Sequence, residues 1–221
     1  MLQQLHRADH MPEDLIIVLR LKILISRGRG TSREDMAKTV VIIHGAYGSP
    51  EENWFPWLRT RLEEMNVKAI VPRFPTPEHQ LLSSWLRILD QEVGEYDEDT
   101  IAVGHSLGPA LILRKLEELK RPICAAYLVS GFLGRIGQPA FDDLNANFFV
   151  EPFDWKVIRS NSKKFYVYNS DNDPYVPLSK GQELASNLGV ELRIVHGGGH
   201  INKAAGYTEF PRLLEDIKAS L

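Results

Sequence analysis

A single cysteine, Cys124, in 221 residues leaves no partner for an intramolecular disulfide and cannot build a cysteine zinc site. A reducing, cytoplasmic setting is therefore the default expectation. No stretch stacks lysine and arginine densely enough to neutralise a phosphate backbone, and the formal net charge is −3, which argues against a nucleic-acid partner. A membrane-length apolar run is missing too. The apolar run of the N-terminal segment, Leu15 to Ile25, covers 11 residues and is broken by Arg20 and Lys22, against the roughly 20 residues needed to cross a bilayer. Nor does this segment read as a secretion signal. Asp9, Glu13 and Asp14 stand where a basic region belongs, and Arg27-Gly-Arg-Gly30 replaces a small-residue cleavage site. Internal repeats and low-complexity tracts are absent.

The first 39 residues carry seven Lys and Arg against five Asp and Glu, and the remainder carries 19 against 24, so the sign of the charge changes at the join. A polar Gly-Arg-Gly-Thr-Ser-Arg stretch precedes that join. Residues 1–38 therefore read as a peripheral extension, disordered or loosely packed, with Met36 a candidate start, and residues 39–221 as the folded domain.

From Thr39 onward, short β-branched runs alternate with segments of helical period. The runs are Val40–Ile43, Lys68–Val71, Thr100–Val103, Ala125–Val129, Lys164–Tyr168 and Glu191–Val195, each stopping near Gly, Pro, Ser, Asn or His. Fully apolar runs of this length are the mark of parallel strands buried on both faces. Between them, Leu58, Leu62 and Met65 follow Pro56, and Leu82, Leu86, Leu89 and Val93 form a stripe. Leu111, Lys115 and Leu119 form a third segment. Ser179-Lys-Gly-Gln182 has the capping-box pattern, and Phe210, Leu213, Leu214 and Ile217 stripe a last helix expected to begin at Tyr207. The alternation predicts an α/β fold with a mostly parallel central sheet and helices on both faces.

The run Thr100-Ile-Ala-Val-Gly-His-Ser-Leu-Gly-Pro109 sets Gly-x-Ser-x-Gly between a strand and a helix, the arrangement of a nucleophile elbow. So tight a turn strains the serine backbone and brings the positions two residues either side against neighbouring backbone, where glycine alone fits. Ser106 is the candidate nucleophile, and the Leu107 N–H a candidate oxyanion donor. A serine hydroxyl needs a base and an orienting carboxylate. Among seven histidines, His200 in Gly197-Gly-Gly-His200 follows the last strand, where such a base arrives, with His196 as competitor. The acid belongs after the preceding strand, in Asn169-Ser-Asp-Asn-Asp-Pro174. Asp173 is favoured because the Pro174–Pro177 turn holds it rigidly, whereas Asp171 reads as a turn former capping a backbone N–H two residues on. The second oxyanion donor is expected behind the first strand, in His44-Gly45-Ala46-Tyr47, with the Ala46 N–H preferred and Tyr47 the alternative.

Val40-Val-Ile-Ile-His-Gly-Ala-Tyr-Gly-Ser-Pro50, Asn53-Trp-Phe-Pro-Trp-Leu58, Val71-Pro-Arg-Phe-Pro75, Gly104-His-Ser-Leu-Gly108 and Ser170-Asp-Asn-Asp-Pro174 together resemble the small α/β-hydrolases of the YdeN and retinoblastoma-binding serine hydrolase family. The resemblance covers about residues 39–220. It implies a compact α/β-hydrolase fold with a minimal cap and a triad of Ser106, Asp173 and His200. Residues 131–160 make the one insertion long enough to shield Ser106, and some of Trp54, Phe55, Trp57, Phe141, Phe148, Phe149, Phe153 and Trp155 are expected at the entrance while most are core. A small lid favours a small ester, thioester or amide over long-chain lipids. This reading needs no cofactor and no metal, and leaves a protein partner and the oligomeric state open. The alternative is a hydrolase-fold protein acting mainly as a protein-binding module.

Overall fold

The computed structural model describes residues 38–221. The reading of an N-terminal extension falls on residues outside this range, apart from Lys38, whose Nζ donates to the Ser220 carbonyl at 2.7 Å. Six strands form one sheet: β1 (Thr39–Ile43), β2 (Lys68–Ile70), β3 (Thr100–His105), β4 (Ala125–Val129), β5 (Phe165–Ser170) and β6 (Leu192–Val195). Their order is β2-β1-β3-β4-β5-β6, and every neighbouring pair is parallel. The six apolar runs of the sequence are these six strands.

Among the described residues seven α-helices flank the sheet: α1 (Phe55–Glu63), α2 (Leu82–Val93), α3 (Gly108–Glu118), α4 (Pro139–Asn145), α5 (Trp155–Ser160), α6 (Leu178–Leu188) and α7 (Pro211–Lys218). The two-residue period of a strand sends Val41 and Ile43 into one core and Val40 and Ile42 into another. The first core is closed by α2, α3, α5 and α6 through residues such as Trp85, Leu113, Ile158 and Leu184; the second by α1 and α7 through Leu58, Leu62, Leu213 and Ile217. Both cores hold side chains with essentially no exposure, and each such Leu or Ile contributes roughly 1.5–3 kcal/mol of burial.

Two helix starts differ from the sequence expectation. Helix α6 begins at Leu178 with Pro177 as its N-cap and no side-chain cap, so Ser179 already lies inside the first turn. Proline at 177 carries the chain directly from the preceding turn into the helix. The last helix begins at Pro211, not Tyr207, because a residue preceding proline is driven out of the helical region, and Phe210 lies outside it at φ −139° and ψ 74°. No helix among the described residues is long and apolar enough to cross a membrane.

Register decides what meets at the carboxyl edge. Ile43 pairs with Gly104, and Ser170 pairs with Val195, so the loops leaving β1 and β3 emerge side by side, as do those leaving β5 and β6. Ligands of open parallel sheets bind at this edge.

Candidate active site

Ser106 follows β3 in the left-handed region, at φ +59°, and its N–H donates to the Val129 carbonyl of β4 at 2.9 Å. A non-glycine residue held there stores strain that the surroundings must impose. The imposing contacts are visible at the flanking glycines. A Cβ on Gly104 would sit 2.6 Å from Gly108 C and Pro109 N, and one on Gly108 would sit 2.6 Å from the Ile43 carbonyl oxygen. Gly45, from the loop after β1, passes equally close: a Cβ there would lie 2.7 Å from Ser106 Cβ and 3.1 Å from its Oγ.

That loop is held by His44, which is fully buried. Its Nδ1 faces the Gly45 carbonyl at 2.8 Å and so carries the proton, while its Nε2 accepts from the Phe74 N–H at 3.1 Å. Burial lowers the His44 pKa, keeping the ring in this neutral form. The Tyr47 N–H is taken by Thr76 Oγ1 at 2.7 Å, whereas Ala46 lines the cavity that Ser106 opens onto. Leu107 is the N-cap of α3, with its N–H at the positive end of the helix.

Three consecutive side chains after β5 stitch that loop to the one after β6. Asp171 Oδ1 accepts from Gly197 N–H at 2.8 Å, Asn172 Oδ1 from Gly199 N–H at 2.8 Å, and Asp173 Oδ2 from His200 Nδ1 at 2.8 Å. Asp173 Oδ1 also accepts from the Tyr175 and Val176 N–H groups at 2.9 and 3.0 Å. The Asp173 side chain is 0% exposed and that of His200 10%. Asp173 faces His200 Nδ1 as expected and, in addition, makes the cap on a backbone N–H two residues on that was expected of Asp171. Asp171 instead pairs with His196 at 2.6 Å, and that histidine side chain is 81% exposed.

From below, the loop that carries His200 hangs on buried donors. His105 Nε2 donates to the His200 carbonyl at 2.8 Å, and Trp54 Nε1 donates to the Ile201 carbonyl at 3.0 Å. Burial first, and then the neighbouring His200 ring, push His105 down to about 3. The unfolded chain binds a proton at this position below about pH 6.5 while the folded one does not, so stability is full above that value. It falls on acidification through the window from 6.5 to about 3, by up to roughly 1.4 kcal/mol per pH unit. His44 acts in the same direction. Urea unfolding at pH 7, 6 and 5 should show this loss in the wild-type protein and a flatter profile for His105→Gln, whose amide keeps a donor but does not titrate; parallel profiles would contradict the assignment.

The cavity at Ser106 and His200 measures about 260 Å³. Residues 131–160 fold over it through α4, a 3₁₀ turn (Ala146–Phe148) and α5, supplying Phe132, Ile136, Phe141 and Asn145 to its wall. Tyr175 closes another side, its ring 5.1 Å from that of His200. Of the aromatics marked in the sequence, Phe141 faces the cavity, whereas Trp54, Phe55 and Phe148 are fully buried and Phe149, Phe153 and Trp155 pack against the first core. Among the described residues no group of three His, Cys, Asp or Glu side chains is gathered closely enough to hold a metal ion.

Sequence reasoning did not anticipate Asn172, Trp54 or His105 as supports of the His200 loop, nor Asn145 in the cavity wall. The side-by-side run Asp171-Asn172-Asp173 was the one available signal, three short polar acceptors opposite a glycine loop.

The serine hydrolase family model matches residues 40–219. The chain is 36% identical over 187 residues to YdeN of Bacillus subtilis, covering 84% of this chain and 96% of that one. It is 28% identical over 184 residues to serine hydrolase RBBP9 of Rattus norvegicus, covering 82% and 94%. The crystal structure of the Bacillus subtilis ydeN gene product superposes with a TM-score of 0.77 at 34% identity over 83% of this chain and 98% of that one. Est1E from Butyrivibrio proteoclasticus, at 16% identity and a TM-score of 0.60, covering 84% and 87%, shares the fold.

Proposed function

This chain belongs to the serine hydrolase family and is an enzyme of that class, and on that premise we propose that it cleaves a small ester, thioester or amide through an acyl-enzyme on Ser106. His200 Nε2 removes the Ser106 proton as the hydroxyl attacks the carbonyl, and Asp173 holds the ring in the tautomer with its proton on Nδ1. The tetrahedral oxyanion rests on the Ala46 and Leu107 N–H groups. His200 then hands its proton to the leaving group, and water repeats the attack on the acyl-enzyme to regenerate Ser106.

The observation that carries this reading is the shielded His200–Asp173 pair, 2.8 Å apart, whose histidine lines the same small cavity as a serine in a strained elbow. The His196–Asp171 pair has no such shelter and does not line the cavity. The cavity's volume supports a short acyl group or a single ring rather than a long chain. The test is covalent labelling: a fluorophosphonate probe should label the wild-type protein and fail to label Ser106→Ala. Absence of labelling in folded wild-type protein would reject the reading and favour a binding role for the fold.

A further inference from the structure

The wall of the cavity contains a polar group that the catalytic reading leaves unused. Asn145, the last residue of α4, is 2% exposed and lines the cavity. Its Oδ1 is occupied, accepting from Gln80 Nε2 at 2.8 Å. Its Nδ2 meets no acceptor among the described residues. By contrast Asn147, two residues on, uses both ends of its amide: its Oδ1 accepts from the Leu82 N–H at 2.6 Å, and its Nδ2 donates to the Gln80 and Leu144 carbonyls.

The orientation of Asn145 follows from that of Gln80. The Tyr47 N–H can only donate, and it donates to Thr76 Oγ1 at 2.7 Å. The Thr76 hydroxyl donates to Gln80 Oε1 at 2.6 Å, and Gln80 Nε2 also donates at 3.4 Å to the Leu144 carbonyl, which can only accept and so fixes the Gln80 amide. With its oxygen accepting from Thr76, Gln80 must present its amide nitrogen to Asn145, and Asn145 must answer with its oxygen. The remaining NH₂ is left for the cavity. The relay begins at the surface, on the loop that carries Ala46, and runs inward to Gln80, which is 4% exposed. The surroundings of Asn145 are otherwise apolar, with Phe132, Ile136, Phe141 and Val176 sharing the wall. Asn202 also borders the cavity, but it is only partly buried, and its Oδ1 accepts from the Ala205 N–H.

A donor on a nearly buried side chain in a cavity wall discriminates once a ligand displaces water there, because it then costs free energy if the ligand leaves it unmatched. Resting on the Ser106 reading, we infer that Asn145 is a specificity-determining residue whose Nδ2 donates to an acceptor oxygen on the part of the substrate that fills the cavity. The substrate class is then a small ester, thioester or amide bearing a carbonyl, ether or hydroxyl oxygen in that part, in preference to its hydrocarbon counterpart. No bond is made or broken by Asn145, and no proton leaves it.

The test compares matched nitrophenyl esters that differ at one atom or group: methoxyacetate against butyrate, and levulinate against isocaproate. The quantity read is the ratio of kcat/KM within each pair, compared between wild type and variant, so that the intrinsic reactivity of each ester cancels. For at least one pair, Asn145→Leu should lower the acceptor-to-hydrocarbon ratio by roughly tenfold or more, because an unmatched buried polar group penalises the wrong ligand strongly. Since leucine also deprives Gln80 of its acceptor, Asn145→Asp serves as the second variant. It keeps an oxygen toward Gln80 and turns a second oxygen toward the cavity, so it should lower the same ratio at least as far. A residue that merely supported the fold would lower both members of a pair together. Ratios within about twofold of wild type in both variants, for both pairs, overturn the assignment of Asn145 alone while the esterase activity stands. Failure of wild-type protein to turn over any of the four esters, together with no fluorophosphonate labelling, overturns the Ser106 reading and this inference with it.

Discussion

Ser106→Ala is expected to lower kcat/KM for a butyrate ester by roughly 10⁴-fold or more, His200→Ala by a similar factor, and the double variant by little more than either alone. Residues that act on one proton transfer are not additive, because removing any one leaves only binding and the oxyanion donors. Asp173→Asn should cost about 10³- to 10⁴-fold for a different reason. The asparagine oxygen can still cap Tyr175 and Val176, but its NH₂ then faces His200 Nδ1, which favours the wrong tautomer. Asp171→Asn provides the contrast. Its partner His196 is exposed and away from the cavity, so the expected loss is less than about fivefold. Steady-state kinetics on the five variants, with circular dichroism to establish folding, check the set. Should Asp171→Asn be the damaging change, the acid has been assigned to the wrong aspartate.

The next largest effects are expected at two glycines, and they should separate stability from activity. A Cβ at Gly104 meets backbone atoms at 2.6 Å on the first turn of α3. Those atoms cannot swing aside as a side-chain tip would, so Gly104→Ala should destabilise the protein by roughly 2–3 kcal/mol, read as a lowered urea midpoint. Gly45→Ala presses instead on Ser106, at 2.7 Å from its Cβ and 3.2 Å from the His105 carbonyl. Relief of that contact moves the nucleophile relative to its base, and displacements on the order of 1 Å cost about 100-fold in rate. The expected signature is a kcat fall of that size with a slower labelling reaction and a smaller change in urea midpoint than for Gly104→Ala. A Gly45→Ala enzyme with wild-type kcat would show that the loop after β1 is free to retreat from Ser106.

The parts of this architecture readable from sequence are those where local chemistry and tertiary placement coincide. Val40–Ile43 or Ala125–Val129 has no polar face to offer water, so a buried parallel strand is the economical outcome. Gly104 and Gly108 mark a turn whose geometry excludes side chains. The start of α7 was misjudged because the stripe from Phe210 onward sets the face of a helix but not its first residue, which Pro211 decides. The capping-box pattern at Ser179 failed likewise, since Pro177 had already begun α6. Less legible still was the relay from Thr76 through Gln80 to Asn145. Gln80 and Asn145 are 65 positions apart, and nothing in either local sequence announces the other. They meet because residues 131–160 fold back over the loop after β2, a consequence of packing rather than of pattern. Likewise, His105 reads as an ordinary elbow residue until β6 delivers the His200 carbonyl onto it.

The contributions to the cavity are unequally divided along the chain. Ser106, Asp173 and His200 issue from three strand ends, each held by the sheet and by buried donors such as Trp54 and His105. Phe132, Ile136, Phe141 and Asn145 all issue from one uninterrupted stretch between β4 and α5. In the language of engineering, that stretch is a cassette. Its replacement would redraw the cavity wall without touching the strand ends that hold Ser106, Asp173 and His200, provided that position 145 still offers Gln80 an oxygen. A selectivity library belongs there, and a search for altered chemistry does not.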